Sequence, residues 1–315
     1  MPLTLRSQLI PEAAAGPDSG LRIRLRDPAG IEGGRRLLEV HPGLRALEPD
    51  DYAECWTAQG TPKASHEGPL HLLEYDEVLF ATWVGPDHDL RVQTEAAYRA
   101  LLDACRARGF EHLARIWNFF GDIHAEENGI ERYQAFCMGR ADALEALEIP
   151  QAGMPAATAI GSDQRTLIIY LIATRTPAEP IENPRQVSAY HYPERYSPKS
   201  PTFARATRLA TNDGPLVLLS GTASIVGHES RHPDNVVAQA HETLANLQAL
   251  HDTAGRELPR PSWLRVYLRH PEHRSRVAAV LAEHYKAVQP GPTVQWVRGD
   301  ICRQELLLEI EGVHA

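Results

Sequence analysis

The sequence predicts a mixed α/β (α+β) fold. It consists of two similar α/β units, and in each unit the helices pack on one face of a mixed β-sheet. Two observations favour this fold class. The order strand–helix–strand–helix–strand occurs twice, about 140 residues apart. A proline-rich stretch separates the two copies, and a chain of 315 residues has the length of two ordinary domains.

The first copy follows residues 1–69, a region that gives few signals. Alternation of apolar and charged residues predicts one half-exposed strand there, from Leu21 to Arg26. Further along, the pattern predicts, in order, a β-rich hairpin over 70–84 that turns at 74–77, a helix over 94–108 that Gly109 ends, a strand over 113–120, a helix over 130–147 and a buried strand over 166–173.

The second copy repeats this order. It is predicted to contain a strand over 215–224, a helix capped by Asp234, a strand over 263–268, a helix over 271–285, and strands over 294–297 and 306–310. The last strand is an apolar run, Leu306 to Leu308 and then Ile310, which is typical of a sheet covered on both faces.

The stretch between the copies is rich in proline, which opposes continuous helix or central strand. The prolines are Pro177, Pro180, Pro184, Pro193, Pro198 and Pro201. We therefore predict an N-terminal α/β domain over 1–175, a connector over 176–201 that also lines the cleft between domains, and a C-terminal domain over 202–315.

Charge and composition exclude several classes of protein. The net charge is -9, which argues against nucleic acid and anionic membranes as partners. No stretch of 18 apolar residues and no signal-peptide pattern is present, so we expect no membrane span and no secretion. The 4 cysteines are scattered without C-x-x-C spacing, which favours a reducing cytoplasm over disulfides or a zinc cluster.

Glu309 is the candidate general acid. It lies between Leu308 and Ile310 in the last predicted strand, and burial there would raise the pKa of its carboxyl, as a proton donor requires. The periodicity fits a solvent-facing Glu on an edge strand equally well, so the pattern alone leaves both interpretations open.

Tyr133 and Arg140 are a candidate anion-binding pair, and Tyr192 and Arg205 form a second Tyr/Arg pair. Tyr133 and Arg140 are seven residues apart on a predicted helix, which puts them on one face about 10 Å apart. Tyr192 and Arg205 flank the proline-rich connector. The alternative for each arginine is a surface charge, and for each tyrosine ordinary packing.

Cys302 is a candidate because it precedes Glu309 by seven residues. An extended chain would separate the two by about 23 Å, so they can share a site only if the chain turns near Arg303 and Gln304. The alternative is that Cys302 is a small residue of the core.

A zinc motif is also present in the sequence but not in a suitable context. The segment from His228 to His232 matches H-E-x-x-H, which requires a helix so that both imidazoles share one face. Pro233 biases His232 away from helix. We therefore predict a loop here, and no metal site.

Several long motifs resemble the chorismatase family over roughly residues 70–315. They are Ile301-Cys-Arg-Gln-Glu-Leu-Leu-Leu-Glu-Ile-Glu-Gly312, Ser220-Gly-Thr-Ala-Ser-Ile-Val-Gly-His-Glu-Ser230, Asn183-Pro-Arg-Gln-Val-Ser-Ala-Tyr190, Ser200-Pro-Thr-Phe-Ala-Arg-Ala206 and the Tyr133 to Arg140 helix.

The resemblance implies an enzyme that cleaves chorismate, a dicarboxylate with an enolpyruvyl ether, without metal or organic cofactor. It implies that Glu309 is the acid/base and that Tyr133, Arg140, Tyr192 and Arg205 hold the substrate. Members with a cysteine at the position of Cys302 make 3-hydroxybenzoate, some of them also 4-hydroxybenzoate, together with pyruvate. Hydrolytic members carry a small residue there and make a dihydroxycyclohexadiene carboxylate.

The C-terminal half more distantly resembles the YjgF-like enamine deaminases, which implies the α/β unit of YjgF-like and chorismate-mutase-like proteins. Those deaminases usually carry a carboxylate-binding Arg in the strand that precedes the terminal one, whereas residues 291–295 contain none. Three alternatives to the lyase stay open: a hydrolytic chorismatase, a YjgF-like deaminase and a non-catalytic binding protein. The deaminases form trimers, but a duplicated chain can also enclose its cleft within one protomer, so monomer, dimer and trimer stay open as well.

Overall fold

The computed structural model describes residues 3–14, 16, 18–47, 52–150, 153–254 and 261–315. Within these ranges the chain forms three large β-sheets, two short two-stranded sheets and four α-helices. None of the described helices is both long enough and apolar enough to cross a membrane.

The first sheet is built from the region that gives few signals in the sequence. Its strands, in the order β1-β6-β2-β4-β3, are β1 (Leu5–Pro11), β2 (Gly20–Ile23), β3 (Gly30–Gly33), β4 (Leu37–His41) and β6 (Tyr52–Ala58). The short β5 (Arg45–Ala46) leaves this sheet and pairs with a strand near the C-terminus. The strand predicted from Leu21 to Arg26 is correct in its first half, because pairing with β4 ends at Ile23.

The second sheet contains the first predicted unit. Its elements are β7 (Lys63–Glu67), β8 (Leu70–Glu74), β9 (Val78–Pro86), α1 (Leu90–Ala107), β10 (His112–Gly121), the hairpin β11 (Glu126–Glu127) and β12 (Ile130–Glu131), α2 (Arg132–Ala146), β13 (Ala156–Ser162) and β14 (Thr166–Thr174). The predicted turn at 74–77 is confirmed. The predicted helix over 130–147 begins at Arg132, because Ile130 and Glu131 pair with β11. Strand β13 was not predicted.

The third sheet contains the second unit. Its elements are β15 (Ala178–Ile181), β16 (Ala206–Thr211), β17 (Gly214–Thr222), the hairpin β18 (Ile225–Val226) and β19 (Glu229–Ser230), α3 (Val236–Ala254), β20 (Pro261–Leu268), α4 (Arg274–His284), β21 (Thr293–Arg298) and β22 (Leu308–His314). Strand β15 comes from the proline-rich stretch and lies at the edge of the sheet, where proline is tolerated.

Two boundary predictions in this unit are wrong. Asp234 does not cap α3: its φ is 61°, and the side chain of Asn235 instead accepts the backbone N–H of Ala238 at 3.0 Å. The last strand begins at Leu308 rather than Leu306, because the chain before it turns, with Leu306 N–H donating to Arg303 O at 3.1 Å.

The two units share one topology, which confirms the predicted repeat and the fold class. The strand orders are β13-β10-β14-β9-β8-β7 and β21-β20-β22-β17-β16-β15. In each sheet one pair is parallel, β10 with β13 and β20 with β21, and the other pairs are antiparallel. The division at 175 and 201 into domains and connector stays a prediction.

The helices lie on the outer faces of the two units, and the inner faces meet in a common core. Helices α1 and α2 cover one face of the second sheet, and α3 and α4 cover one face of the third. The opposite faces pack together with the first sheet, as Trp56, Trp117 and Trp263 show, one from each sheet. In β22, Leu308 and Ile310 therefore point to the helices, while Glu309 and Glu311 face the inner layer.

Candidate active site

A cavity of about 470 Å³ lies where the two units and the proline-rich stretch meet. Residues from α2, β13, β22, the proline-rich stretch and the loop before β22 line it. All six candidates from the sequence are among them: Tyr133, Arg140, Tyr192, Arg205, Cys302 and Glu309. Residues far apart in the chain thus line one cavity.

Glu309 occupies a central strand and not an edge. Strand β22 lies between β17 and β20, and Glu309 is 5% exposed. Burial, with a smaller contribution from Glu311, raises the pKa of its carboxyl to about 8, although Arg115 and Arg205 act to lower it. Glu309 is therefore mainly protonated at neutral pH, which is the state a general acid needs.

Gly221 provides the space for this carboxyl. The register of β17 against β22 shifts between Leu219 and Thr222, which is a β-bulge that contains Gly221. A Cβ atom at position 221 would lie 1.8 Å from Glu309 Oε1. Only glycine allows the backbone to approach the acid so closely.

Arg140 is a buried cation without a carboxylate. It is 2% exposed, and its Nε and Nη2 atoms have no hydrogen-bond partner. Among the described residues, no Asp or Glu forms an ion pair with it; its guanidinium carbon lies 5.1 Å from the centre of the Phe136 ring, and its side chain is hydrogen-bonded to that of Tyr98. A buried, incompletely bonded guanidinium on a cavity wall is suited to an anionic ligand.

Tyr192 and Arg205 act as one group. Arg205 is 4% exposed, and its Nη2 donates to Tyr192 Oη at 2.9 Å and to Val187 O at 2.8 Å. Its Nε has no partner. The alternative of a surface arginine is therefore wrong for both Arg140 and Arg205.

Cys302 is brought beside the acid by the turn that follows it. Burial and the neighbouring Glu309 raise the pKa of its thiol to about 12, so it is a neutral thiol at physiological pH. Burial likewise raises the pKa of Tyr133, which lies close to Cys302, well above its usual value. Both side chains are therefore uncharged in the cavity.

Arg269 holds this turn in place, which the sequence did not reveal. It lies just after β20, and its guanidinium donates to three carbonyl groups of the loop: Leu306 O at 3.0 Å, Ile301 O at 3.1 Å and Arg303 O at 3.0 Å. Residues 303 and 304 contain no glycine, proline or asparagine, so the contacts with Arg269 define the turn.

His124 and Arg303 also line the cavity and were not predicted. His124 Nε2 is 2.7 Å from Ile301 O, and its Nδ1 is 2.9 Å from a carboxylate oxygen of Glu131. The guanidinium of Arg303 stacks on the ring of Tyr196 at 3.8 Å. Isolated residues of these types give no periodic signal in a sequence.

The H-E-x-x-H segment is not helical, as predicted. Its two imidazoles have separate partners: His232 Nε2 lies 3.2 Å from Glu242, and His228 Nδ1 lies 3.3 Å from Tyr196 Oη. In the part of the chain that the structure describes, one group, Glu32, Glu39 and His41, has the spacing of metal ligands. There, Arg26 already donates to both carboxylates, at 3.0 and 3.1 Å.

A carboxyl with a raised pKa and two incompletely bonded guanidinium groups thus line one cavity, an arrangement suited to acid–base chemistry on a small anionic molecule. A family model described as "Chorismatase FkbO/Hyg5-like, N-terminal" matches residues 54–173. The chain is 36% identical over 299 residues to a 3-hydroxybenzoate synthase of Streptomyces hygroscopicus, which covers 90% of this chain and 86% of that protein. The chain therefore belongs to the chorismatase family.

Two further proteins support this membership. A chorismatase of Streptomyces rapamycinicus is 37% identical over 291 residues, which covers 88% of this chain and 85% of that protein. A crystal structure of a chorismatase superposes with a TM-score of 0.89 at 28% identity, and covers 100% of this chain and 99% of that one. The similarity begins well before residue 70, earlier in the chain than the sequence motifs indicated.

Proposed function

We propose that this enzyme converts chorismate to 3-hydroxybenzoate and pyruvate, the activity that the name of the synthase from Streptomyces hygroscopicus describes. The observation that carries this proposal is the joint presence of Glu309, Arg140 and Arg205 in one cavity. Chorismate combines two carboxylates with an acid-labile enolpyruvyl ether, and the site offers a group for each of these features.

The two arginines are proposed to hold the two carboxylates of the substrate. Arg140 has two free nitrogens and Arg205 has one, and charge-assisted hydrogen bonds from guanidinium are the strongest available to a carboxylate. Tyr133 and Tyr192 add hydroxyl groups beside them. Binding would thus satisfy donors that are unsatisfied in the free protein. The fold has already removed these donors from water, so the substrate gains their hydrogen bonds without that cost.

Glu309 is proposed to protonate the methylene carbon of the enolpyruvyl group. The resulting oxocarbenium-like centre allows the bond between the ring carbon and the ether oxygen to break, and its electrons remain on the departing pyruvate. The neighbouring ring hydroxyl forms a new bond to that ring carbon, its bond to the carbon that first carried it then breaks, and loss of the proton from the carbon that now carries the oxygen restores aromaticity. The atoms of chorismate equal those of hydroxybenzoate and pyruvate together, so no water is consumed. The Glu309 carboxylate can take up the proton that the ring loses, which regenerates the acid.

Cys302 is proposed to favour the ring hydroxyl over water. With a pKa of about 12 its thiol is not a base at neutral pH, so its contribution is to assist the rearrangement as a neutral, weakly polar group beside Glu309. The 3-hydroxybenzoate product, with 4-hydroxybenzoate as a second product, is thereby favoured over the diene diol of the hydrolytic alternative.

In β21 the buried Gln295, which bonds to Arg265 at 2.8 Å, lies in the region where the deaminases carry their arginine.

We further propose that the enzyme works in the cytoplasm and without metal or organic cofactor. All four cysteines are free, which agrees with a reducing compartment. Every step above uses only side chains of this chain.

The test is incubation of the purified protein with chorismate, followed by chromatography of aromatic products and an assay for pyruvate. The amount of pyruvate is expected to equal the sum of 3-hydroxybenzoate and 4-hydroxybenzoate, with 3-hydroxybenzoate as the main product. The diene diol would favour the hydrolytic enzyme, ammonia release from imine substrates a deaminase, and intact bound chorismate after hours a binding protein. Glu309→Gln serves as the control for non-enzymatic decay and should form no product above that background.

A further inference from the structure

We propose that Glu311 is a positioning residue that keeps Glu309 in its protonated, proton-donating form. Glu311 does so through its own negative charge, which is fixed in place behind the acid. This inference rests on the proposed role of Glu309, and it assigns a function to a buried charge cluster that the mechanism itself does not use.

Glu311 is an ionised carboxylate because every contact of its oxygens is a donor. It is 1% exposed. Oε2 accepts hydrogen bonds from Arg115 Nη2 at 2.7 Å and from Thr158 Oγ1 at 2.6 Å. Oε1 accepts from Tyr267 Oη at 2.8 Å and from Arg265 Nη1 at 3.1 Å. Four donors, two of them cationic, leave no position for a proton on the carboxylate.

This charge lies close to Glu309 and cannot move away from it. The two residues are two apart on β22, so their side chains point to the same face about 7 Å apart. The hydroxyl of Thr158, which donates to Glu311, also accepts the backbone N–H of Gly221 at 3.0 Å. Gly221 is the residue whose backbone lies against the Glu309 carboxyl. The Thr158 side chain therefore links the Glu311 carboxylate to the Gly221 backbone that lies against the Glu309 carboxyl.

The cluster around Glu311 pairs two carboxyl groups with two guanidinium groups, so the loss of the Glu311 charge leaves Arg115 without its carboxylate partner and Arg265 with Glu54 alone. Glu54 bonds to Arg265 Nη2 at 2.6 Å, so two glutamates face the two arginines Arg115 and Arg265 in a buried layer. Removal of the negative charge of Glu311 leaves a net positive charge beside Glu309. Such a charge favours the ionised form of the acid, which cannot donate a proton.

Other groups also lie around Glu309 on the neighbouring elements. Arg205 approaches from before β16 and Arg140 from α2, and Cys302 and Arg303 come from the preceding loop. Tyr267 is its register partner on β20. Arg115 and Arg205 lower the pKa of Glu309, whereas burial and Glu311 raise it. Glu311 is thus the carboxylate that opposes these cations.

The test is the pair Glu311→Gln and Arg115→Gln. The Glu309 carboxyl is titrated by infrared difference spectroscopy with Glu309→Gln as the blank, and kcat/KM for chorismate is measured against pH. Glu311→Gln should lower the Glu309 titration midpoint by about 1 to 2 pH units, the size expected for a charge about 7 Å away at an effective dielectric constant of about 20. The basic limb of the activity profile should move down by the same amount. Turnover should stay near wild type at about pH 6 and fall about tenfold at about pH 8.

Arg115→Gln should move both midpoints in the opposite direction, because it removes a cation from the same cluster. Two variants that only loosened the structure would shift the midpoints in the same direction, so opposite shifts distinguish an electrostatic from a structural role. If Glu311→Gln does not fold, the upward shift in Arg115→Gln still has to appear, and its absence overturns the inference.

Two controls complete the design. Glu311→Asp keeps the negative charge and should leave the Glu309 titration midpoint at its wild-type value. Glu54 is bonded to Arg265 and does not lie beside Glu309, so Glu54→Gln should shift the midpoint less than Glu311→Gln does. An unchanged Glu309 midpoint in folded Glu311→Gln overturns the inference. The spectroscopic titration does not depend on turnover, so residual activity of Glu309→Gln would contradict the proposed acid role without affecting this result.

Discussion

Replacement of Glu309 by Gln should abolish turnover and at the same time stabilise the fold above about pH 5. The reason is that a buried carboxyl with a raised pKa is a cost to stability once the unfolded chain can ionise it. Between pH 4.5 and about 8 the folded protein retains a proton that the unfolded chain has released, so wild-type stability falls as pH rises through this window. Gln cannot ionise and is free of this effect.

The size of the gain follows from the shift in pKa. Glu309 moves from its usual 4.5 to about 8 in the fold, and each unit corresponds to about 1.4 kcal/mol. The free energy of unfolding of Glu309→Gln relative to wild type should therefore rise by about 3 kcal/mol between pH 4.5 and 7, and by about 5 kcal/mol in total at pH 8 and above. Below pH 4.5 the difference should be constant.

The assay is urea unfolding of both proteins at a series of pH values, with melting temperature as a second measure. Glu111→Gln, which alters an exposed glutamate outside the cavity, is the matched control and should give a flat difference across the series. A flat difference for Glu309→Gln as well would refute the reasoning, since it would mean that the carboxyl titrates alike in both states. Substantial residual turnover would separately refute the acid role.

The remaining predictions concern the cavity wall. Cys302→Ala should divert product from 3-hydroxybenzoate to the diene diol in chromatography, and an unchanged product ratio would remove Cys302 from the mechanism. Arg205→Ala should raise KM about 30- to 100-fold through loss of a charge-assisted contact, while a lower melting temperature with unchanged KM would make Arg205 structural. Arg140→Met should weaken product binding in calorimetry yet leave the melting temperature equal or higher, because an unsatisfied buried cation is replaced by an apolar chain of similar length. Gly221→Ala should lower kcat about 100-fold with little change in expression, because its Cβ would occupy the position of the Glu309 carboxyl, and wild-type kcat would contradict this geometry.

The fold could be predicted from the sequence where local pattern and tertiary contacts agree. The hairpin at 74–77, both units and their repeat follow from apolar periodicity and clear stop signals. Apart from part of β2, the first sheet could not be predicted, because its strands are short and pair over long distances, as β1 with β6 does from Leu5 to Ala58. The predicted cap of α3, Asp234, was one residue away from the observed cap, Asn235, because aspartate and asparagine are both good capping residues.

The site was predicted in part because residue type and motif identify groups but not their surroundings. Periodicity indicates that Glu309 and Glu311 lie on the same face of the strand, but it does not indicate whether solvent or another sheet covers that face. Only the three-sheet arrangement makes Glu311 a buried charge. The turn after Cys302 likewise depends on Arg269, which is more than 30 residues earlier in the chain. Such a dependence leaves no trace in local sequence.

The position of Glu54 and Arg265 has a consequence for any attempt to reduce this enzyme to a minimal catalytic fragment. Glu54 belongs to the first sheet and Arg265 to the third, and both side chains are fully buried. A fragment that starts at residue 70 keeps every wall of the cavity but leaves Arg265 without one of its two carboxylates. Such a fragment is expected to be insoluble alone and to recover activity only on addition of the missing N-terminal piece, so this enzyme is not divisible into a catalytic module and a dispensable accessory.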